Sequence, residues 1–137
     1  MQTVLVIDDD EGLRDTIALM LETEGFRPAL AEDGKIGLQQ TMALRPDLVL
    51  VDLRMPGLSG IEVCKQIRAA GMKTPLIVLS AVGDEMDKVL LLEIGADDYV
   101  TKPFAPEEVL EVVAEVVSRR TDEAFVKSRT DLIHRFA

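Results

Sequence analysis

The sequence predicts an α/β protein with a parallel, doubly wound sheet. Three observations carry that expectation: five short β-rich runs, amphipathic stretches between them, and glycines where each helix should hand over to a strand. The runs are Val4 to Ile7, Arg27 to Ala31, Leu48 to Val51, Leu76 to Leu79, and Tyr99 to Val100. Runs this short, bounded by helical patterns, indicate βαβ units.

Each helix has its own signature. Leu13, Ile17, Met20 and Leu21 repeat at helical spacing, as do Ile61, Cys64 and Ile67, and later Val109, Val113, Val116 and Val117. Gly25, Gly71 and Gly95 follow such stretches, where a left-handed residue is least costly as glycine. Ser59 with Glu62 has the spacing of a capping box, and Pro106 suits a first helical position. Ile36 to Leu44 is the weakest helix, because Gly34, Gly37 and Thr41 lower its propensity.

At 137 residues and 47% apolar composition, the chain suits one domain with a short appendage. After Val117 the stretch Ser118 to Glu123 is polar and reads as a linker. Phe125, Leu132 and Phe136 fit a continued helix, whereas Leu132 to Phe136 equally fits a strand. The expected division is a domain at 1–120 and a linker, with the possible start of a second domain, at 121–137.

A net charge of −10 argues against direct contact with nucleic acid or an anionic membrane. Cys64 is alone, nothing after Met1 resembles a secretory leader, and no apolar stretch reaches bilayer length. The expected location is cytoplasmic.

Chemistry concentrates where strands end. In a doubly wound sheet of order 2-1-3-4-5, the flavodoxin-like (βα)5 arrangement, ligands bind beyond the carboxyl ends of strands 1 and 3. Asp8 and Asp9 follow the first run, and Asp52 follows the third. Carboxylates about 4 Å apart repel by roughly 4 kcal/mol at an effective dielectric of about 20. Lys102 after the fifth run offers one compensating charge, and a divalent ion with oxygen ligands offers the rest. Mg²⁺ suits so few protein oxygens better than Ca²⁺. Each residue also has an ordinary reading. Asp8-Asp9-Asp10 could simply start a helix, Asp52 could belong to a turn, Lys102 could be a solvated charge, and Ser80 an edge hydroxyl. Only their joint placement at strand ends favours a site.

The strings VLVIDDD, PDLVLVDLRMPGLSG, TPLIVLSA and GADDYVTKPF, in that order, resemble the receiver domain of two-component response regulators. The resemblance covers about residues 2 to 120. It implies that Asp52 is the phosphoacceptor, that Asp8, Asp9 and Asp52 hold Mg²⁺ with the Arg54 carbonyl, and that Lys102 pairs with the phosphoryl group. It further implies Ser80 and Tyr99 as switch residues and a cis peptide between Lys102 and Pro103. The phosphodonor would be a phosphohistidine on a sensor histidine kinase. The chain would then catalyse its own phosphorylation and slow dephosphorylation without being a conventional enzyme. Arg54 and Val82 flank the site and would set the lifetime of the acyl phosphate.

Residues 83 to 99 resemble the OmpR/PhoB-type regulators, which carry a winged-helix DNA-binding domain. There a homodimer forms through the fourth helix, fifth strand and fifth helix. Lys88, Asp97, Asp98, Glu108 and Arg119 match charged positions of that face, but Val112 and Ala114 stand where basic residues are usual, leaving Asp98 without its expected partner. The tail resembles the beginning of such an output domain, so DNA contact would need a domain absent from this chain. A stand-alone receiver acting through protein contact is the alternative. An aspartate-nucleophile phosphatase would need a second acid where Asp52-Leu53-Arg54 has none. A flavin or nucleotide binder would need a glycine-rich loop where this chain has acid.

Overall fold

The chain folds as five βα units in strict alternation. The structure, a computed structural model, describes the backbone of residues 1–81 and 88–133, and the side chains of those residues other than Lys88 and those beyond Arg119. In chain order the elements are β1 (Thr3–Ile7), α1 (Glu11–Thr23), β2 (Arg27–Ala31), α2 (Gly34–Leu44), β3 (Leu48–Asp52), α3 (Gly60–Ala69), β4 (Leu76–Ser80), α4 (Lys88–Ile94), β5 (Asp98–Thr101) and α5 (Pro106–Ile133). All strands are parallel, in the order β2-β1-β3-β4-β5. This is the doubly wound sheet expected from the sequence.

Strand periodicity divides the core between the two faces. Val4, Val6, Leu48, Leu50, Ile77 and Leu79 face Ile17 and Leu21 of α1 and Val109, Val113 and Val116 of α5. Leu5, Ile7, Val49, Val51, Leu76 and Val78 face Val63, Cys64 and Ile67 of α3. The central strands β3 and β4 are buried throughout, as continuous apolar runs covered on both faces should be.

Register sets the site. Ile7 pairs with Val51 and Asp52 with Leu79, so Asp8, one residue past β1, stands level with Asp52 on the neighbouring strand. Ser80 pairs with Thr101, which brings Lys102 to the same edge.

The local signals are found where the sequence puts them. Gly25, Gly71 and Gly95 have φ of 88°, 80° and 75°. The Ser59 hydroxyl accepts from the Glu62 amide at 3.3 Å, and Pro106 opens α5. At the α5 start the Ala105 amide donates to the Glu108 carboxylate at 3.3 Å, the reciprocal half of a capping box. The weak propensity of α2 has a packing cause. A Cβ on Gly34 would collide with the Leu58 carbonyl, and one on Gly37 would lie 2.5 Å from Ile7 Cδ1. Glycine lets α2 lie close against β1 and the loop after β3.

Beyond the packed valines the backbone does not break. Ser118 to Glu123 continues α5, and the helix runs to Ile133. No glycine or proline interrupts this segment, and its residues are tolerated in an exposed helix. Leu132 and Ile133 therefore follow the helical alternative, while His134 to Ala137 lie outside the described residues.

Gly37→Ala tests the close approach of α2. On an exposed helix that change stabilises by about 1 kcal/mol. Here overpacking against buried Ile7 should win, lowering stability by about 1–3 kcal/mol in urea denaturation. A gain would show that Ile7 yields at little cost.

Candidate functional site

At the carboxyl edge of the sheet, Asp8, Asp9 and Asp52 each place a carboxylate oxygen within 4.8 Å of the others. Asp8 is fully buried, Asp52 is 6% exposed, and Asp9 is open to solvent. Lys102 Nζ lies 3.0 Å from Asp8 Oδ2 and 3.2 Å from Asp52 Oδ2. Residues almost a hundred positions apart thus meet as one cluster of three acids and one ammonium. Asp10, the third acid of the run, has a different role: it caps α1 by accepting from the Leu13 amide at 3.1 Å. The helix-start reading therefore holds for Asp10, while its two predecessors join an acidic cluster that could hold a metal ion.

The loops hold these side chains from several directions. Asp8 Oδ1 accepts from the Asp10 amide at 2.9 Å, and the Asp8 carbonyl accepts from Arg14 Nη1 at 2.7 Å. The Asp52 side chain accepts from the Arg54 amide at 3.3 Å. Under it, Gly60 donates its amide to the Leu53 carbonyl at 2.9 Å, and a Cβ there would collide with the Asp52 carbonyl. Only glycine lets α3 seat so close beneath Asp52. The Lys102 amide donates to the Ser80 carbonyl at 2.6 Å, and the Lys102–Pro103 bond is cis.

Electrostatics follow from this crowding. Burial, and then the charge of Asp8, push the Asp52 carboxyl from its ordinary 3.8 up to about 6, although Lys102 opposes the rise. Burial disfavours the Lys102 ammonium, but its hydrogen bond and attraction to Asp8, and then Asp52, raise its pKa. The metal-free cluster is under-compensated in positive charge. An all-oxygen donor set with a buried anionic member suits a hard divalent cation. Histidine and cysteine, which zinc would favour, are absent from the cluster.

The remaining expected residues take distinct places. Ser80 is buried at the end of β4, one strand from Asp52, and Tyr99 on β5 is 37% exposed. The Arg54 side chain is exposed in the loop after β3. Val82 and the Lys88 side chain lie outside the described residues. Within its own chain Asp98 pairs with Arg119, whose Nη2 lies 3.4 Å from it. The helix of α5 extends far enough for a later basic residue to reach β5. Asp97 is also engaged within the chain, accepting from the Leu76 amide at 2.8 Å and pairing with Arg68 at 3.3 Å.

Two residues of the site escaped sequence reading. Arg14 belongs to the α1 pattern only as a polar position, although an arginine in the first turn, against the helix dipole, is a signal. Gly60 lies in the first turn of α3, where the helix start requires no glycine.

A buried aspartate at a topological switch point, with two further acids and a lysine gathered around it, makes an acidic cluster that could hold a metal ion. The chain belongs to the response regulator receiver domain family, whose model matches residues 4–114, and it is a phosphorylation-activated signalling receiver. The DNA-binding response regulator MtrA of Mycolicibacterium smegmatis is 46% identical over 122 residues, covering 89% of this chain and 53% of that protein. The sensory transduction protein RegX3 of Mycobacterium tuberculosis is 42% identical over 123 residues, covering 90% and 54%. The chain spans about half the length of these curated relatives. Among solved structures, the Francisella response regulator 1452 receiver domain superposes with a TM-score of 0.79 at 35% identity, covering 88% of this chain and 99% of that one. NtrX of Brucella abortus superposes with a TM-score of 0.84 at 26% identity, covering 93% and 29%.

The raised Asp52 pKa has a consequence for stability. The folded protein holds this proton more tightly than the unfolded chain, so ionisation of Asp52 destabilises the fold. That cost is absent below about pH 4 and complete above about pH 7. In EDTA, Asp52→Asn should therefore be about 2 kcal/mol more stable than the parent at pH 8, with the gap closing towards pH 4 in urea denaturation. A gap that widens on acidification would contradict the electrostatics of the cluster.

Proposed function

We propose that Asp52 accepts a phosphoryl group from a phosphohistidine on a sensor histidine kinase, and that Asp8, Asp9, Asp52 and the Arg54 carbonyl hold Mg²⁺. The observation that carries this reading is the position of buried Asp52, 3.2 Å from Lys102 Nζ and within the acidic cluster. An Asp52 oxygen attacks phosphorus, an O–P bond forms, and the N–P bond to the imidazole breaks as that ring keeps the electron pair and takes up a proton. The product is a mixed anhydride. Held by these residues, Mg²⁺ would supply positive charge to offset that of the transferring group. Lys102, 3.2 Å from Asp52, adds its ammonium, and the Arg54 amide orients the acceptor carboxylate.

Ser80 lies one strand from Asp52 and can donate its hydroxyl to a phosphoryl oxygen. Its movement makes room for Tyr99 to turn inward, which repacks the face made by α4, β5 and α5. That face would carry the homodimer contact, although Asp97 and Asp98 already have partners in their own chain. Among the described residues no helix is long and apolar enough to cross a membrane, in keeping with a cytoplasmic partner of the kinase. Residues 1–120 form the receiver, and 121–137 lead towards an output domain. The DNA-binding name and the greater length of MtrA support transcription regulation by the intact protein.

Incubation with acetyl phosphate and Mg²⁺ should add one phosphoryl group by intact-mass measurement. The Asp52→Ala protein, and the parent in EDTA, should gain none; equal gain by Asp52→Ala would overturn the assignment. Arg54 is the wrong shape to orient an attacking water, so decay of the acyl phosphate should be slow. In Arg54→Asn, whose amide can hold that water, decay should accelerate several-fold when followed by mass after donor removal. Equal decay rates would remove Arg54 from the control of lifetime.

A further inference from the structure

We infer that Arg14 is a positioning residue for the metal-holding loop after β1, fixing the direction in which Asp9 presents its carboxylate. The inference rests on the proposed assignment of Asp8, Asp9 and Asp52 as the cation site. Every part of Asp8 is engaged: Oδ1 by the Asp10 amide, Oδ2 by Lys102 Nζ, and the carbonyl by Arg14 Nη1 at 2.7 Å. Its amide donates to the Ala31 carbonyl at 3.1 Å. Asp9 differs. It is exposed, and among the described residues no side-chain hydrogen bond holds its carboxylate. What precedes its Cα is the Asp8–Asp9 peptide, whose plane is set by the carbonyl that Arg14 grips.

The placement of Arg14 is otherwise unfavourable. It stands in the first turn of α1, where the helix dipole disfavours a cation, and its half-buried side chain gives up rotamer freedom to reach back over that turn. Helical Cβ bonds tilt towards the amino end, which directs the guanidinium to the Asp8 carbonyl. A charged donor also makes a stronger hydrogen bond to a carbonyl than a neutral one. The arrangement is that of an outer partner that orients a ligand without touching the ion. Lysine keeps the charge but lacks the planar fork, so the two contributions can be separated.

Calorimetric titration with Mg²⁺ at fixed pH and ionic strength tests this on the unphosphorylated protein, together with melting temperatures in EDTA. The parent should bind Mg²⁺ and Asp9→Asn should bind more weakly; no binding by the parent would overturn the cation site itself, and this inference with it. Given binding by the parent, Arg14→Lys and Arg14→Met should both weaken Mg²⁺ affinity by about 10-fold, at the low end for outer partners of metal ligands. Parental affinity in both variants would overturn the inference, including where their melting temperatures fall, since that is a purely structural role. Tighter binding by Arg14→Met with parental affinity in Arg14→Lys would also overturn it, because Arg14 would then act only as a charge.

Discussion

The structure depends on holding three carboxylates together at the edge of a sheet that would otherwise push them apart. Asp8 and Asp52 are buried on adjacent strands, Asp9 joins them within 4.8 Å, and one ammonium sits between the two buried acids. Repulsion of this kind is comparable with a good part of a domain's net stability of about 5–15 kcal/mol. The rest of the fold must therefore be strong enough to impose it. Two continuous apolar layers do so, one on each face of the sheet, with β3 and β4 buried along their whole length. The strand that carries Asp52 is thus among the most completely buried parts of the molecule.

Tight packing next to the site serves the same end. Three glycines allow backbone to approach where a Cβ could not fit: Gly34 against the Leu58 carbonyl, Gly37 against Ile7, and Gly60 against the Asp52 carbonyl. Each lies in a helix, where glycine costs about 1 kcal/mol of propensity. The cost is accepted around the loops that carry the acidic residues, which need a fixed geometry more than they need local stability. Strain of this distribution is expected when a site must be rigid before its ligand arrives.

Much of this was legible in the residues. Five apolar runs, helical stripes and glycine stops are consequences of periodicity and backbone sterics, so strand boundaries at Arg27 and Ala31 or the left-handed Gly25 could be read directly. The site residues Asp8, Asp9, Asp52 and Lys102 were legible only jointly, because each alone has a commoner explanation and the sheet order brings them together. Arg14 was not legible, since a polar helix position does not reveal which carbonyl its side chain will reach. Nor was the purpose of Gly34 and Gly37, which looked like defects in a helix until the neighbouring β1 and β3 loop were in place. The pairing of Asp98 with Arg119 within one chain was not legible either: both residues stood out as charged positions of one face, but only the length of α5 brings them together.

The two ends of β4 and β5 are held very differently, and that asymmetry bears on how a local charge becomes a signal. At their amino ends, Arg68 donates to the carbonyls of Met72, Thr74 and Gly95 and pairs with Asp97, which in turn holds the Leu76 amide. A network linking α3, β4 and the turn before β5 resists displacement there. At their carboxyl ends, the contact between β4 and β5 nearest the site is the Lys102 amide on the Ser80 carbonyl. Lys102 and Ser80 are the residues that a phosphoryl group on Asp52 would engage. A change at Asp52 would therefore act on the carboxyl ends of two strands whose amino ends carry the Arg68 network. Val89, Leu92 and Tyr99 are exposed on α4 and β5, the elements that follow β4. An exposed apolar surface beside such an edge suits a switch, because a few kcal/mol of differential contact is enough to redistribute two states.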